Sequence, residues 1–281
     1  MTTTEAIVQS VPRGTFQSMA KTIAVCNQKG GVGKSTTAVN VGSYLALFGH
    51  NTLLIDLDPQ GNASTACGIN RTSITKDIYQ VLVNGMPAVD AVVQTAIQKL
   101  NIIPSTLDLA GAETYLADVE GREFMLKRAC GPLKSQYEFI IIDCPPSLGV
   151  LTVNALSAAD STLIPVQCEY LALEGLNSLM QAVGLIKKTL NPDLRVGGII
   201  LTMADFRANL AREVADEVKR FFKDLVFDTS IPRNIRLAES PSFGKPICLY
   251  DPHSSGALAY HLLTQEVILK ERAEIHDQAT G

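Results

Sequence analysis

The segment Asn27-Gln28-Lys29-Gly30-Gly31-Val32-Gly33-Lys34-Ser35-Thr36-Thr37 concentrates glycines, lysines and hydroxyls in one short stretch. Glycines let a backbone curl until successive N–H groups point into one concavity. A helix starting directly behind such a turn adds positive potential from its N-terminus. Together they make a cradle for a polyphosphate. In that cradle Gly30, Gly31, Val32 and Gly33 supply backbone, and Lys34 reaches the β- and γ-phosphates. The Ser35 hydroxyl sits on Mg²⁺, and Thr36 contacts the α-phosphate. A plain glycine-rich turn between a strand and a helix has no use for the Gly33-Lys34-Ser35 triplet. The stretch also departs from the ordinary phosphate-loop pattern. Gln28 stands where a glycine is usual, and Lys29 adds a second ammonium inside the loop. That ammonium is a further local phosphate contact, a solvated loop-edge residue, or a reach into a neighbour's site.

Acidic residues complete the chemistry. Leu53-Leu54-Ile55-Asp56-Leu57-Asp58-Pro59-Gln60 ends an apolar run in two carboxylates. A strand period of two puts Asp56 and Asp58 on one face. Phosphate hydrolysis needs a group that orients water in line with the γ-phosphate and a Mg²⁺ that neutralises charge. A second run, Ile140-Ile141-Ile142-Asp143-Cys144-Pro145-Pro146-Ser147, ends in Asp143, placed to hold a Mg²⁺-bound water. The competing readings are helix capping for Asp143 and turn initiation for the Asp58-Pro59 pair. Cys144 has no cysteine or histidine close by in sequence and reads as core.

These groups need a scaffold that brings strand ends together. Six continuous apolar runs predict strands at Thr22–Cys26, Thr52–Leu57, Phe139–Cys144, Ser161–Val166, Gly197–Met203 and Leu225–Ile231. Continuous rather than alternating runs mark strands buried on both faces, as in a parallel sheet. Helical patterns at Lys34–Phe48, Ala172–Leu190, Asn209–Phe222 and Gly256–Lys270 separate them. Residues 70–135 are less regular and predict short helices plus a strand near Leu100–Ile103. The alternation predicts an α/β fold: a doubly wound, mostly parallel sheet with helices on both faces. Such sheets bind ligands beyond the carboxyl ends of their strands. Residues 1–20 read as a flexible N-terminal arm, 21–270 as one domain and 271–281 as a frayed tail.

Composition narrows the partners. With 46% hydrophobic and 19% charged residues, the 281-residue chain is globular rather than disordered. The six cysteines form no CxxC pair, which excludes a zinc ribbon and fits reduced, buried thiols. No apolar run approaches the roughly 18 residues that span a bilayer. No secretory signal is evident, so a cytoplasmic protein without a membrane partner is expected. The net charge is −4, yet 11 of the 24 Lys/Arg and only 8 of the 28 Asp/Glu fall within residues 187–245. A local basic stripe there, including Arg207, Arg220, Arg236 and Lys245, suits sequence-blind phosphate contact or is an ordinary solvated face.

At the phosphate loop the chain resembles the ParA/MinD family of deviant Walker A ATPases, which share a KGGxxK[ST] signature. The Leu54–Ser64 and Asp143–Ser147 stretches match that family too. The segment Ile231-Pro232-Arg233-Asn234-Ile235-Arg236 through Pro246 resembles the chromosomal ParA (Soj) subgroup. The resemblance runs from about Lys21 to about Lys270 and implies a P-loop NTPase fold with ATP and Mg²⁺ as cofactors. It implies that Lys29 crosses an ATP-sandwich homodimer to the partner's phosphates, that Asp58 orients water and that Asp56 lies close to Mg²⁺. Pro232 and Asn234 are implied adenine contacts, and Arg207 and Arg236 are implied contacts to nonspecific double-stranded DNA. The function so implied is an ATP-dependent switch on the nucleoid that partitions DNA or another cargo and is stimulated by a ParB-type protein. The alternative is a MinD-like positioning switch at a membrane or on a protein cargo. A cluster-carrying iron protein would need paired cysteines. A small-acid synthetase would not be expected to carry Lys29.

Overall fold

The computed structural model describes residues 20–169 and 172–280. The expected N-terminal arm lies outside the described residues except for Ala20, which is buried. Among the described residues seven strands run β1 (Lys21–Val25), β2 (Thr52–Asp56), β3 (Val93–Gln94), β4 (Leu100–Ile103), β5 (Phe139–Asp143), β6 (Ser161–Gln167) and β7 (Arg195–Thr202). They form one sheet in the order β3-β4-β2-β5-β1-β6-β7. All neighbours pair in parallel except β3, which lies antiparallel on β4. Among the described residues the α-helices are α1 (Lys34–Leu47), α2 (Asn62–Ala66), α3 (Ile78–Val83), α4 (Ala112–Leu116), α5 (Met125–Cys130), α6 (Val150–Ala158), α7 (Ala172–Thr189), α8 (Asn209–Phe222), α9 (Ile235–Glu239), α10 (Ile247–Tyr250) and α11 (Ser255–Thr280).

The apolar runs form strands because both their faces are covered. Ile23, Val25, Leu54, Phe139 and Ile141 pack in one core with Ala38 and Val41 of α1 and Tyr260 and Leu263 of α11. Ala24, Leu53, Ile55, Ile140 and Ile142 pack in the other with Leu126, Leu151, Leu179 and Val214, from α5 to α8. This is the doubly wound α/β fold expected. Each fully buried Ile or Leu contributes roughly 1.5–3 kcal/mol. That apolar surplus is what lets the sheet tolerate Asp56 and Asp143, both 0% exposed, at its carboxyl edge.

Two expectations need correction. Leu225–Ile231 forms no strand; it meets β7 at the isolated parallel bridge Ile199↔Val226, and a second bridge, Ala204↔Pro232, follows just beyond both. Phe227 N and Ile231 N still donate to Ile199 O and Leu201 O, at 3.0 and 2.8 Å. Between them the N–H groups of Asp228 and Thr229 turn away to the Glu266 carboxylate of α11, at 2.9 and 3.0 Å. A helix side chain thus takes Thr229 N, the donor that would have continued the ladder, together with Asp228 N. The expected fray after residue 270 is also not seen at its start. α11 continues through it, and Glu271 is 1% exposed, accepting from Ser161 Oγ at 2.7 Å and pairing with Arg195.

Candidate active site

The turn between β1 and α1 is fastened to the sheet from below. Asn27 Nδ2 donates to Pro165 O at 2.7 Å, its Oδ1 accepts from Lys29 N at 3.0 Å, and Thr202 Oγ1 donates to Val32 O at 2.9 Å. Gly31 and Gly33 adopt φ of +75° and +91°, the left-handed region where a side chain is strained. A Cβ on Gly30 or Gly31 would meet nothing within 4 Å, so the loop's concave side stands open. Lys34 reaches back into this turn, 6% exposed, its Nζ donating to Lys29 O at 3.0 Å. Burial pushes its ammonium below the usual lysine range, against the pull of Asp143 and Asp58.

Asp56 and Asp143 are register partners on β2 and β5. By strand alternation both face the side that carries α1. The structure uses them differently. Asp56 Oδ2 accepts from Ser64 N at 2.7 Å and Ser64 Oγ at 2.6 Å, and Oδ1 accepts from Asp58 N at 3.2 Å. Asp56, expected close to the metal, lies beside Asp143 and spends its oxygens on the turn that follows β2. Burial, then the neighbouring Asp58 charge, push its carboxyl up to about 6 although the Ser64 bonds oppose the rise. Neither Asp143 oxygen has a hydrogen-bond partner among the described residues. Burial and the Asp56 charge hold its carboxyl well above the usual range, while Ser35 and Lys34 pull the other way. A buried carboxylate that no N–H reaches, facing a serine hydroxyl and an open anion cradle, fits a hard divalent cation with oxygen ligands. Ser35 and Asp143 therefore fit Mg²⁺. Asp58 lies in the turn rather than on the strand, with Oδ1 accepting from Gln60 N at 2.9 Å.

The cleft above the loop, about 330 Å³, is lined by Gly30, Lys34, Ser35 and Asp58 and closed by Pro146 and Lys245. A second cleft of about 220 Å³ adjoins it across Gly33, Thr36 and Met203, and reaches Pro232 and Asn234. The Asn234 amide, expected at a purine, is partly used: Oδ1 caps α9 by accepting from Arg236 N at 2.8 Å, and Nδ2 donates to Ser255 Oγ at 2.8 Å. Lys29 points elsewhere, its Nζ 2.9 Å from Glu169 Oε2.

The expected basic stripe is not a row of free cations. Arg207 forks onto Asp205 at 2.8 and 2.7 Å, which holds that carboxyl down to about 2. Arg236 lies 3.1 Å from Glu239 and 3.4 Å from Asp251. Arg220 pairs with Glu217 at 3.6 Å and covers the Phe221 ring. Lys245 is placed at the rim of the phosphate cleft.

Comparison with known proteins matches this arrangement. Residues 20–196 fit the profile of a family described as an AAA domain. The sporulation initiation inhibitor protein Soj of Bacillus subtilis is 53% identical over 249 residues, 89% of this chain and 98% of Soj. The chromosome partitioning protein ParA of Myxococcus xanthus is 51% identical over 91% of this chain and 90% of its own. The chain belongs to the Soj/ParA family of chromosome partitioning proteins. Among solved structures, cobyrinic acid a,c-diamide synthase from Mycobacterium smegmatis with bound ADP and magnesium superposes with a TM-score of 0.77. It is 36% identical and covers 88% of this chain and 93% of its own. MinD from Pyrococcus horikoshii complexed with Mg-ADP gives a TM-score of 0.73 at 25% identity, over 89% and 96% of the two chains. No helix among the described residues of this Soj/ParA relative is long and apolar enough to cross a membrane.

Some site residues escaped the sequence reading. Asn27, Thr202 and Glu169 all lie at or just past strand ends, where ligands of parallel sheets gather. That position was a usable signal. Arg71, which holds the Asp58 turn, carried none.

Proposed function

We propose that this Soj/ParA relative is an ATPase whose ATP-bound form dimerises and holds DNA nonspecifically. The observation that carries the reading is Asp143, a fully buried carboxylate that no N–H reaches, facing the Ser35 hydroxyl beside the open loop. Lys34 and the amides of residues 30–36 bind the phosphates. Ser35 and Asp143 would hold Mg²⁺, which would supply neutralisation of charge on the phosphates. Asp58, which lines the same cleft, orients water toward the γ-phosphate. Pro232 packs on the base, while Asn234, already a helix cap, shapes that cleft more than it reads the base. Lys29 exchanges Glu169 for the partner subunit's phosphates, and two such exchanges close a sandwich.

The dimer doubles the number of cations facing one duplex. Affinity then rises steeply and becomes steeply salt-dependent. Arg207, Arg220 and Arg236 exchange their acidic neighbours for DNA phosphates, with Lys245 at the cleft rim as a further contact. Slow hydrolysis, accelerated by DNA and a ParB-type protein, splits the dimer and releases the DNA. That cycle serves a cytoplasmic, nucleoid-associated protein that positions DNA or another cargo. The test is retention on nonspecific duplex DNA with ATP, ADP or no nucleotide at two salt concentrations. ATP-selective, salt-sensitive retention is expected, and equal retention in all three states contradicts the reading.

A further inference from the structure

Arg71 lies outside the lining of the phosphate cleft, yet it grips the turn that carries Asp58. All three of its hydrogen-bond acceptors are backbone carbonyls. Nε donates to Ser105 O at 3.1 Å, Nη2 donates to Pro59 O at 2.8 Å, and Nη1 donates to Gln60 O. Two of these carbonyls follow Asp58 directly, and the third lies just beyond β4. Gly61 makes room for the grip. It adopts φ of +62°, and a Cβ there would come within 2.3 Å of the Arg71 guanidinium carbon.

The same turn is held from the sheet side. Asp58 N donates to Asp56, and Ser64 Oγ both donates to Asp56 and accepts from Ser105 N at 3.0 Å. Ser105 is thus the common post: its N–H ties to Ser64 and its carbonyl to Arg71. The Asp58 turn is clamped between Asp56 underneath and Arg71 outside. A lysine does not replace this clamp. Its single ammonium lacks the planar fork that meets three carbonyls from two segments at once.

We infer that Arg71 is a positioning residue for ATP hydrolysis, fixing through the backbone of residues 59–60 the place from which Asp58 orients water. The inference rests on the proposed role of Asp58. Arg71 touches neither the phosphates nor the reacting water, so its loss acts on turnover and not on nucleotide affinity, which Lys34 and the loop amides carry. Misplacing a catalytic group by about 1 Å costs on the order of a hundredfold in rate.

The experiment measures steady-state ATP turnover at saturating ATP, and the affinity for a fluorescent ATP analogue, in full-length wild type, Arg71→Ala, Arg71→Lys, Asp58→Ala and the Asp58→Ala/Arg71→Ala double variant. We expect kcat to fall about tenfold to a hundredfold in Arg71→Ala, with lysine restoring only a small part. Analogue affinity stays within about threefold of wild type, and Arg71→Ala adds no further loss to the residual turnover of Asp58→Ala. An unchanged kcat, an affinity loss as large as the kcat loss, or a further drop in the double variant overturns the assignment. Arg71→Lys carries the same comparison if the alanine variant does not fold. Normal turnover in Asp58→Ala, seen with Arg71 intact, overturns instead the role of Asp58 on which the inference stands.

Discussion

Lys29 Nζ lies 2.9 Å from Glu169 Oε2, each side chain 47% exposed. An ion pair this open to water is worth less than about 1 kcal/mol. It keeps the lysine on its own subunit while costing little to break. A triphosphate offers that ammonium a stronger partner, as the proposed reach of Lys29 to another subunit requires. Lys34, by contrast, is buried on the carbonyl of the same Lys29. The two lysines of the loop are thus prepared for different work.

Lys34→Ala removes the buried ammonium from the floor of the phosphate cleft. ATP affinity should fall on the order of a hundredfold or more. Titration of a fluorescent ATP analogue reads this directly, and retained affinity contradicts the placement of the phosphates.

Asp58→Ala should separate binding from turnover. ATP-dependent dimers should form and stay on DNA, because Lys34 and the loop are intact, while phosphate release stops. Phosphate release at the wild-type rate removes Asp58 from the mechanism.

Arg236→Glu places a third carboxylate among Glu239 and Asp251. ATP-dependent DNA retention at about 0.1 M salt should fall at least tenfold, since phosphate contact dominates such binding. The variant should still dimerise with ATP in size-exclusion chromatography. Undiminished DNA retention contradicts the assignment of this arginine.

The buried carboxylates set a pH dependence. Asp56 rises from the ordinary 3.8 to about 6, and Asp143 rises well above its ordinary value, both chiefly through burial. Through that window the folded protein binds more protons than the unfolded chain. Stability from these groups is therefore present below the ordinary carboxylate pKa and is lost as pH rises. Asp143→Asn mimics the protonated form. It should raise the urea midpoint of the nucleotide-free protein at about pH 7, and by less at about pH 5. An equal effect at both pH values contradicts the account.

Much of the architecture was legible from the chain alone. Val25, Asp56 and Asp143 end runs of residues that only a doubly covered parallel sheet can bury, so the site's position at the strand ends followed. The phosphate loop was readable because its glycines and lysines are contiguous. Leu225–Ile231 misled because its apolar content is that of a strand while Glu266, 38 residues beyond Asp228, takes its donors. The bonds of Asp56 to Ser64, of Lys29 to Glu169 across 140 residues, and of Arg71 to Ser105 depend on chain segments meeting in space, which local pattern does not encode. The acidic neighbours of Arg207 and Arg236 stood two and three residues away, and a reading of charge pairs along the chain would have found both.

The central claim is that Lys29 leaves Glu169 for a second subunit when ATP is bound. Sedimentation of Asp58→Ala with ATP and Mg²⁺, with and without the added change Lys29→Ala, tests it most directly. The account predicts a dimer for the single variant and a monomer that still binds ATP for the double variant. A double variant that dimerises as readily as the single one would contradict it.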